Sequence, residues 1–122
     1  MIEKGESVGL LFLSGCINFT EPMAGFMIIN TESEDHRVEV EITSENGNSI
    51  YSDEYMVDMG SRREERELFE SQVCVYNISV DDGRNEEYQF YPSCTNSDDV
   101  HDNLNIALND GNIEFYPRQC GD

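Results

Sequence analysis

The residues of this chain best suited to covalent or metal chemistry are four cysteines and two histidines: Cys16, Cys74, Cys94, Cys120, His36 and His101. A blue-copper centre needs two histidines, a cysteine and usually a methionine, with most of them close together on one loop. Cys94 and His101 stand seven residues apart, but no methionine follows Met59, and His36 opens a strand pattern far away. Zinc held by cysteines needs closely spaced pairs, and the chain has no C-x-x-C pair. His36 is therefore expected at a strand start, hydrogen-bonded to the turn before it. Asp98, Asp99 and Asp102 gather beside His101, and Asp81-Asp82 make a second acidic turn, yet neither spacing fits an EF-hand loop. Solvated carboxylates are the expectation for both. Nucleophile elbows, phosphate loops and the H-E-x-x-H zinc motif do not occur. These observations assign no catalytic residue, no metal ligand set and no cofactor. The alternative they leave open is a small cupredoxin-like redox or metal carrier built on Cys94, His101 and the nearby acids.

The cysteines also suggest an address. Leu13-Ser14-Gly15-Cys16 is similar to a lipoprotein processing box, with Val8 to Leu13 as the apolar stretch and Ser14-Gly15 as the small residues before the cut. That resemblance implies removal of residues 1–15 and a lipid on Cys16, followed by a tether over 16–24. The apolar stretch is short, and Lys4 is flanked by Glu3 and Glu6 where a positive region is usual. Cys94 and Cys120 both lie in polar, loop-like surroundings. A disulfide between them is expected, closing a loop of about 25 residues and stabilising the fold by about 3 kcal/mol. Cys74 belongs to the alternation Cys74, Tyr76, Ile78, Val80, which is the buried face of a strand and predicts a small buried thiol. Asn18-Phe19-Thr20 and Asn77-Ile78-Ser79 fit the N-glycosylation sequon, and Asn77 falls on the outward phase of its strand.

Charge narrows the partners. Seven Lys+Arg stand against 26 Asp+Glu in 122 residues, for a net charge of -19. Six Phe and six Tyr sit inside apolar alternations, which argues for a folded domain with an acidic coat rather than a disordered acidic tail. Such a coat repels itself in dilute solution, whereas molar salt shrinks the Debye length to about 3 Å. With Lys4 as the one lysine, the pattern resembles proteins of salt-loving archaea. A nucleic-acid binder needs a basic stripe. Here Arg62, Arg63 and Arg66 are cancelled by Glu64, Glu65 and Glu67. The expected partner is an unidentified protein or surface, with no nucleic acid, and with membrane contact only through a lipid on Cys16.

Positioning these residues requires a β framework. His36 to Thr43 alternates cleanly, Asn46-Gly47 signals a hairpin, and a return strand runs from about Ser49 to Val57, with the faces of Tyr51 and Tyr55 left open. Ser61 to Glu70 fits a charged helical turn or an edge strand ending in Leu68-Phe69, and the edge strand is the expectation. Gln72 to Val80 and Glu86 to Tyr91 flank Asp81-Asp82-Gly83. A last hairpin turns at Asp110-Gly111 and sets Leu108 opposite Ile113 and Ile106 opposite Phe115. About seven to eight short strands with Gly, Asn and Asp turns predict an all-β, Greek-key β-sandwich over residues 25–120. His36-x-Val38-x-Val40-x-Ile42, Asn46-Gly47 and Asp81-Asp82-Gly83 resemble the small immunoglobulin-like domains of haloarchaeal exported proteins. The resemblance implies an extracytoplasmic, cell-surface β-sandwich and no defined activity.

Overall fold

A computed structural model describes residues 23–92 and 101–118, and among them are eight strands and no helix. In chain order these are β1 (Met23–Asn30), β2 (His36–Ser44), β3 (Ser49–Val57), β4 (Arg62–Glu70), β5 (Cys74–Val80), β6 (Asn85–Phe90), β7 (His101–Asn109) and β8 (Asn112–Arg118). They form two four-stranded sheets, ordered β4-β1-β7-β8 and β3-β2-β5-β6, packed as a β-sandwich. All pairings are antiparallel except β1 with β7. Strands β1 and β2 lie in different sheets. The described residues contain no helix long and apolar enough to cross a membrane.

Period-two alternation explains why these segments are strands and which way they face. In β2 and β5 every second residue is buried: His36, Val38, Val40 and Ile42 in one, and Cys74, Tyr76, Ile78 and Val80 in the other. From the facing sheet come Phe26, Ile28, Leu104, Ile106 and Leu108, all without exposed surface. Phe26 is the centre of an aromatic cluster, edge-on to Tyr55 at 5.7 Å and to Tyr76 at 6.5 Å. The buried Tyr76 hydroxyl donates to the Gly25 carbonyl at 2.9 Å and so carries no unmet polar cost. Tyr51 and Tyr55 both turn inward, their hydroxyls in contact.

The hairpins differ in kind. Asp110 and Gly111 both have positive φ, the two-residue turn that a D-G pair favours, and Leu108 pairs with Ile113 and Ile106 with Phe115 as expected. At Asn46-Gly47 only Gly47 has positive φ. There Gly47 N–H donates to the Ser44 carbonyl and Ser44 N–H to Asn48, a three-residue loop with a glycine bulge instead of the two-residue turn. Asp81-Asp82-Gly83 repeats that pattern through Gly83 to Val80 and Val80 to Arg84. Strand β1 begins at Met23, inside the segment expected as tether. Its pairing on both sides, with Glu70 and with His101, extends it past the local apolar run.

Candidate functional site

Among the described residues, the densest arrangement of ionisable groups lies at one end of the sandwich, where three connections meet. The first is fixed by Asn30, the fully buried last residue of β1. Its side-chain carbonyl accepts the Glu32 N–H, and its amide donates to the Val57 and Glu34 carbonyls at 3.0 and 2.8 Å. The Thr31 hydroxyl donates to the Leu108 carbonyl at 2.9 Å. These bonds hold the Glu32 carboxylate over the sheet ends.

The inward phase of β2 puts its first residue, His36, directly beneath, with 5% of its surface exposed. Its Nε2 lies 2.9 Å from Glu32 Oε1 and its Nδ1 2.9 Å from Asp81 Oδ1, in the β5–β6 turn. Arg84, at the end of that turn, spreads its guanidinium over both sides. Nη1 and Nη2 donate to Glu32 at 2.9 and 2.8 Å, Nε donates to Asp82 at 3.0 Å, and Nη1 also reaches the Asn112 carbonyl at 3.2 Å. The third connection joins through Gly111, whose N–H donates to Glu32 Oε2 at 2.8 Å. A cleft of about 450 Å³ opens beside the cluster, bordered by Ser33, Glu34 and Asp110.

A neutral imidazole carries one N–H, so only the imidazolium can donate to Asp81 and Glu32 together. The Asp81 carboxylate first, and Glu32 with it, hold His36 above its ordinary pKa against the opposing effect of burial. Arg84 holds Glu32 and Asp82 below the usual carboxylate range, and Asp81 is lowered chiefly by the Arg37 N–H. Chemically this is a closed network. The imidazole spends both nitrogens on carboxylates and has no lone pair left for a metal or a substrate proton. Among the described residues no group of three His, Cys, Asp or Glu side chains is placed to hold a metal ion.

A pH prediction follows from these directions. A raised folded pKa means that the contribution of His36 to stability is whole below about pH 6.5, its unfolded value, and is lost as pH rises through the folded value. The lowered carboxylates contribute above about pH 4 and lose that contribution as pH falls through their folded values. Denaturation midpoints should therefore fall on both flanks, and His36→Gln should remove the alkaline fall alone. An unchanged alkaline limb in that variant would show that the imidazolium does not hold this end together.

The sequence placed His36 at a strand start bonded to the preceding turn, which accounts for Glu32 but not for Asp81. Asp81 was expected to be a solvated carboxylate. Instead it accepts from the Arg37 N–H and faces His36. Glu32, Arg84 and Asn30 were missed, although an acid four residues before a histidine and an arginine closing an acidic turn were visible signals. Asn77 stands on the outward face of β5, its amide donating to Glu87 Oε2 at 3.0 Å and accepting from Asn85. Cys74 is a buried free thiol, which burial pushes up to about 12. Cys16, Asn18, Cys94 and Cys120 lie outside the described residues, as do Asp98, Asp99 and the side chains of His101 and Asp102. Comparisons with protein families, with curated proteins and with solved structures find no match for this chain.

Proposed function

We propose that this chain is a non-catalytic binding or structural module of the cell surface, lipid-anchored through Cys16 and adapted to high salt. The observation that carries the non-catalytic part is the closure of the Glu32–His36–Asp81–Arg84 cluster. Every charged group there is bonded to another group of the chain, and together they tie three connections into one rigid end. An acid–base site keeps a proton-transfer group free to meet substrate, whereas this one keeps none. The acidic coat and the processing-box resemblance at Cys16 support the surface address.

Expression in a host with lipoprotein processing tests the address. Wild type should fractionate with membranes, and Cys16→Ser should leave an unprocessed precursor or release the protein. Identical migration and fractionation of the two would remove the lipid anchor from this reading. Metal analysis and visible absorption of the purified chain test the non-catalytic part, since stoichiometric copper or zinc would favour a metal carrier instead.

A further inference from the structure

We propose that the outer face of the β4-β1-β7-β8 sheet is a self-association surface, where two copies of this chain meet about a two-fold axis running along the strands between β1 and β7. The outward positions of the two central strands, from Met23 to Ile29 in β1 and from Asn103 to Asn109 in β7, carry no ionisable side chain. The outer face of the other sheet carries Glu39, Glu41, Glu54 and Glu87. Copies bearing a net charge of -19 repel one another, so the face with the weakest field is the one on which they can approach.

On β4 the strip is flanked by Glu70 beside Met23 and Glu64 beside Met27 as well as by Arg62, and in the Arg62 row a residue of opposite sign stands on the other edge strand. Arg62 pairs across to Ile29, Ile29 to Ala107, and Ala107 to Glu114. A two-fold axis along the strands keeps each row and exchanges its ends. Arg62 of one copy then lies over Glu114 of the other, and Ile29 over Ala107, with both contacts made twice. The aligned packing of two twisted sheets has this geometry. Arg62 is also the exception among the arginines whose side chains are described. Arg37, Arg63, Arg66 and Arg84 each have a carboxylate within 4.0 Å, and among the described residues no ion pair involves Arg62. At the opposite rim Tyr116 is 54% exposed, and its hydroxyl fixes the Glu114 carboxylate at 2.7 Å.

Sedimentation equilibrium of the full chain in dilute and in molar KCl tests this. A monomer–dimer equilibrium is expected, with Kd falling about tenfold or more toward molar salt as the repulsion between copies is screened. At the lowest KCl concentration that supports the dimer, Arg62→Glu and Glu114→Arg should each raise Kd by about tenfold, and the double swap should restore it. Glu114→Arg is the sharper of the two, because it lowers the net negative charge and yet should weaken the dimer. Ala107→Arg, at an outward position, should abolish association. A monomer throughout, a dimer that none of these variants weakens, or a double swap that fails to restore affinity would each overturn the proposal.

Discussion

Gly25→Ala is expected to destabilise the domain by about 3 kcal/mol or more, the upper range for overpacking a site that cannot relax. A Cβ at Gly25 would stand 2.1 Å from the Glu65 carbonyl oxygen and 2.9 Å from Arg66 Cα, both backbone atoms. No rotamer change removes such a clash; β4 itself would have to move. The register shows why β4 comes so close. Ala24 pairs with Phe69 and Phe26 with Glu65, so Gly25 alone opposes Arg66, Glu67 and Leu68. The extra residues bulge toward β1, and Glu67 adopts φ 55 to make the bend. Displacing them also disturbs the Gly25 carbonyl that receives the buried Tyr76 hydroxyl. Gly47→Ala is the control. Its φ is 88, but nothing lies within 4 Å of the added Cβ, so only the conformational cost of about 1 kcal/mol applies. Denaturant midpoints of the two variants should therefore separate clearly. If Gly25→Ala costs no more than Gly47→Ala, the bulge is not pressed against β1.

That bulge marks where the sequence stops being legible. Alternation is a local property, so β2, β5 and the β7–β8 hairpin could be read with their faces, and the last one with its register. In Arg62–Glu70 nearly every position is charged until Leu68-Phe69, and nothing local says that three of its residues will oppose one glycine. Partner choice is equally silent. The parallel ladder of β1 with β7 joins segments more than 70 residues apart, and hydrophobic patterning names the buried face but not the neighbour.

The site at the sandwich end was half legible for the same reason. Glu32 and His36 are close in sequence, and a turn contact was expected. Arg84 is 52 residues from Glu32, and Asp81 is 45 from His36. An acidic turn followed by an arginine looks like a solvated loop until the fold returns it beneath the β1–β2 connection. The low exposure of His36 turns an ordinary pair of surface acids into its obligatory partners, because a buried imidazolium left without them would be costly.

The acidic coat leads to the second large effect, a melting temperature about 10 °C or more higher in molar KCl than in dilute buffer, equivalent to about 2 kcal/mol. The structure locates part of the repulsion. On the outer face of the β3-β2-β5-β6 sheet, Glu39 is paired directly with Glu54, and the next row places Glu41 and Glu87 on either side of Asn77. Like charges opposite one another on neighbouring strands are destabilising. Compensation is thin there: Arg37 approaches Glu54 only to 3.8 Å, with both side chains more than half exposed. Screening acts strongly on such exposed groups and weakly on the half-buried Glu32 and Arg84 around the buried His36, so the gain should come from the sheet face and leave the loop end unchanged. Two measurements separate screening from a general salting-out of apolar surface. The rise in KCl should flatten near 1 M, once the Debye length is about 3 Å, whereas a sulfate salt should keep adding stability. Glu39→Gln with Glu54→Gln should raise the melting temperature in dilute buffer and leave it nearly unchanged in molar KCl. A melting temperature independent of KCl would remove self-repulsion as a determinant of stability, and with it the case for a salt-adapted coat.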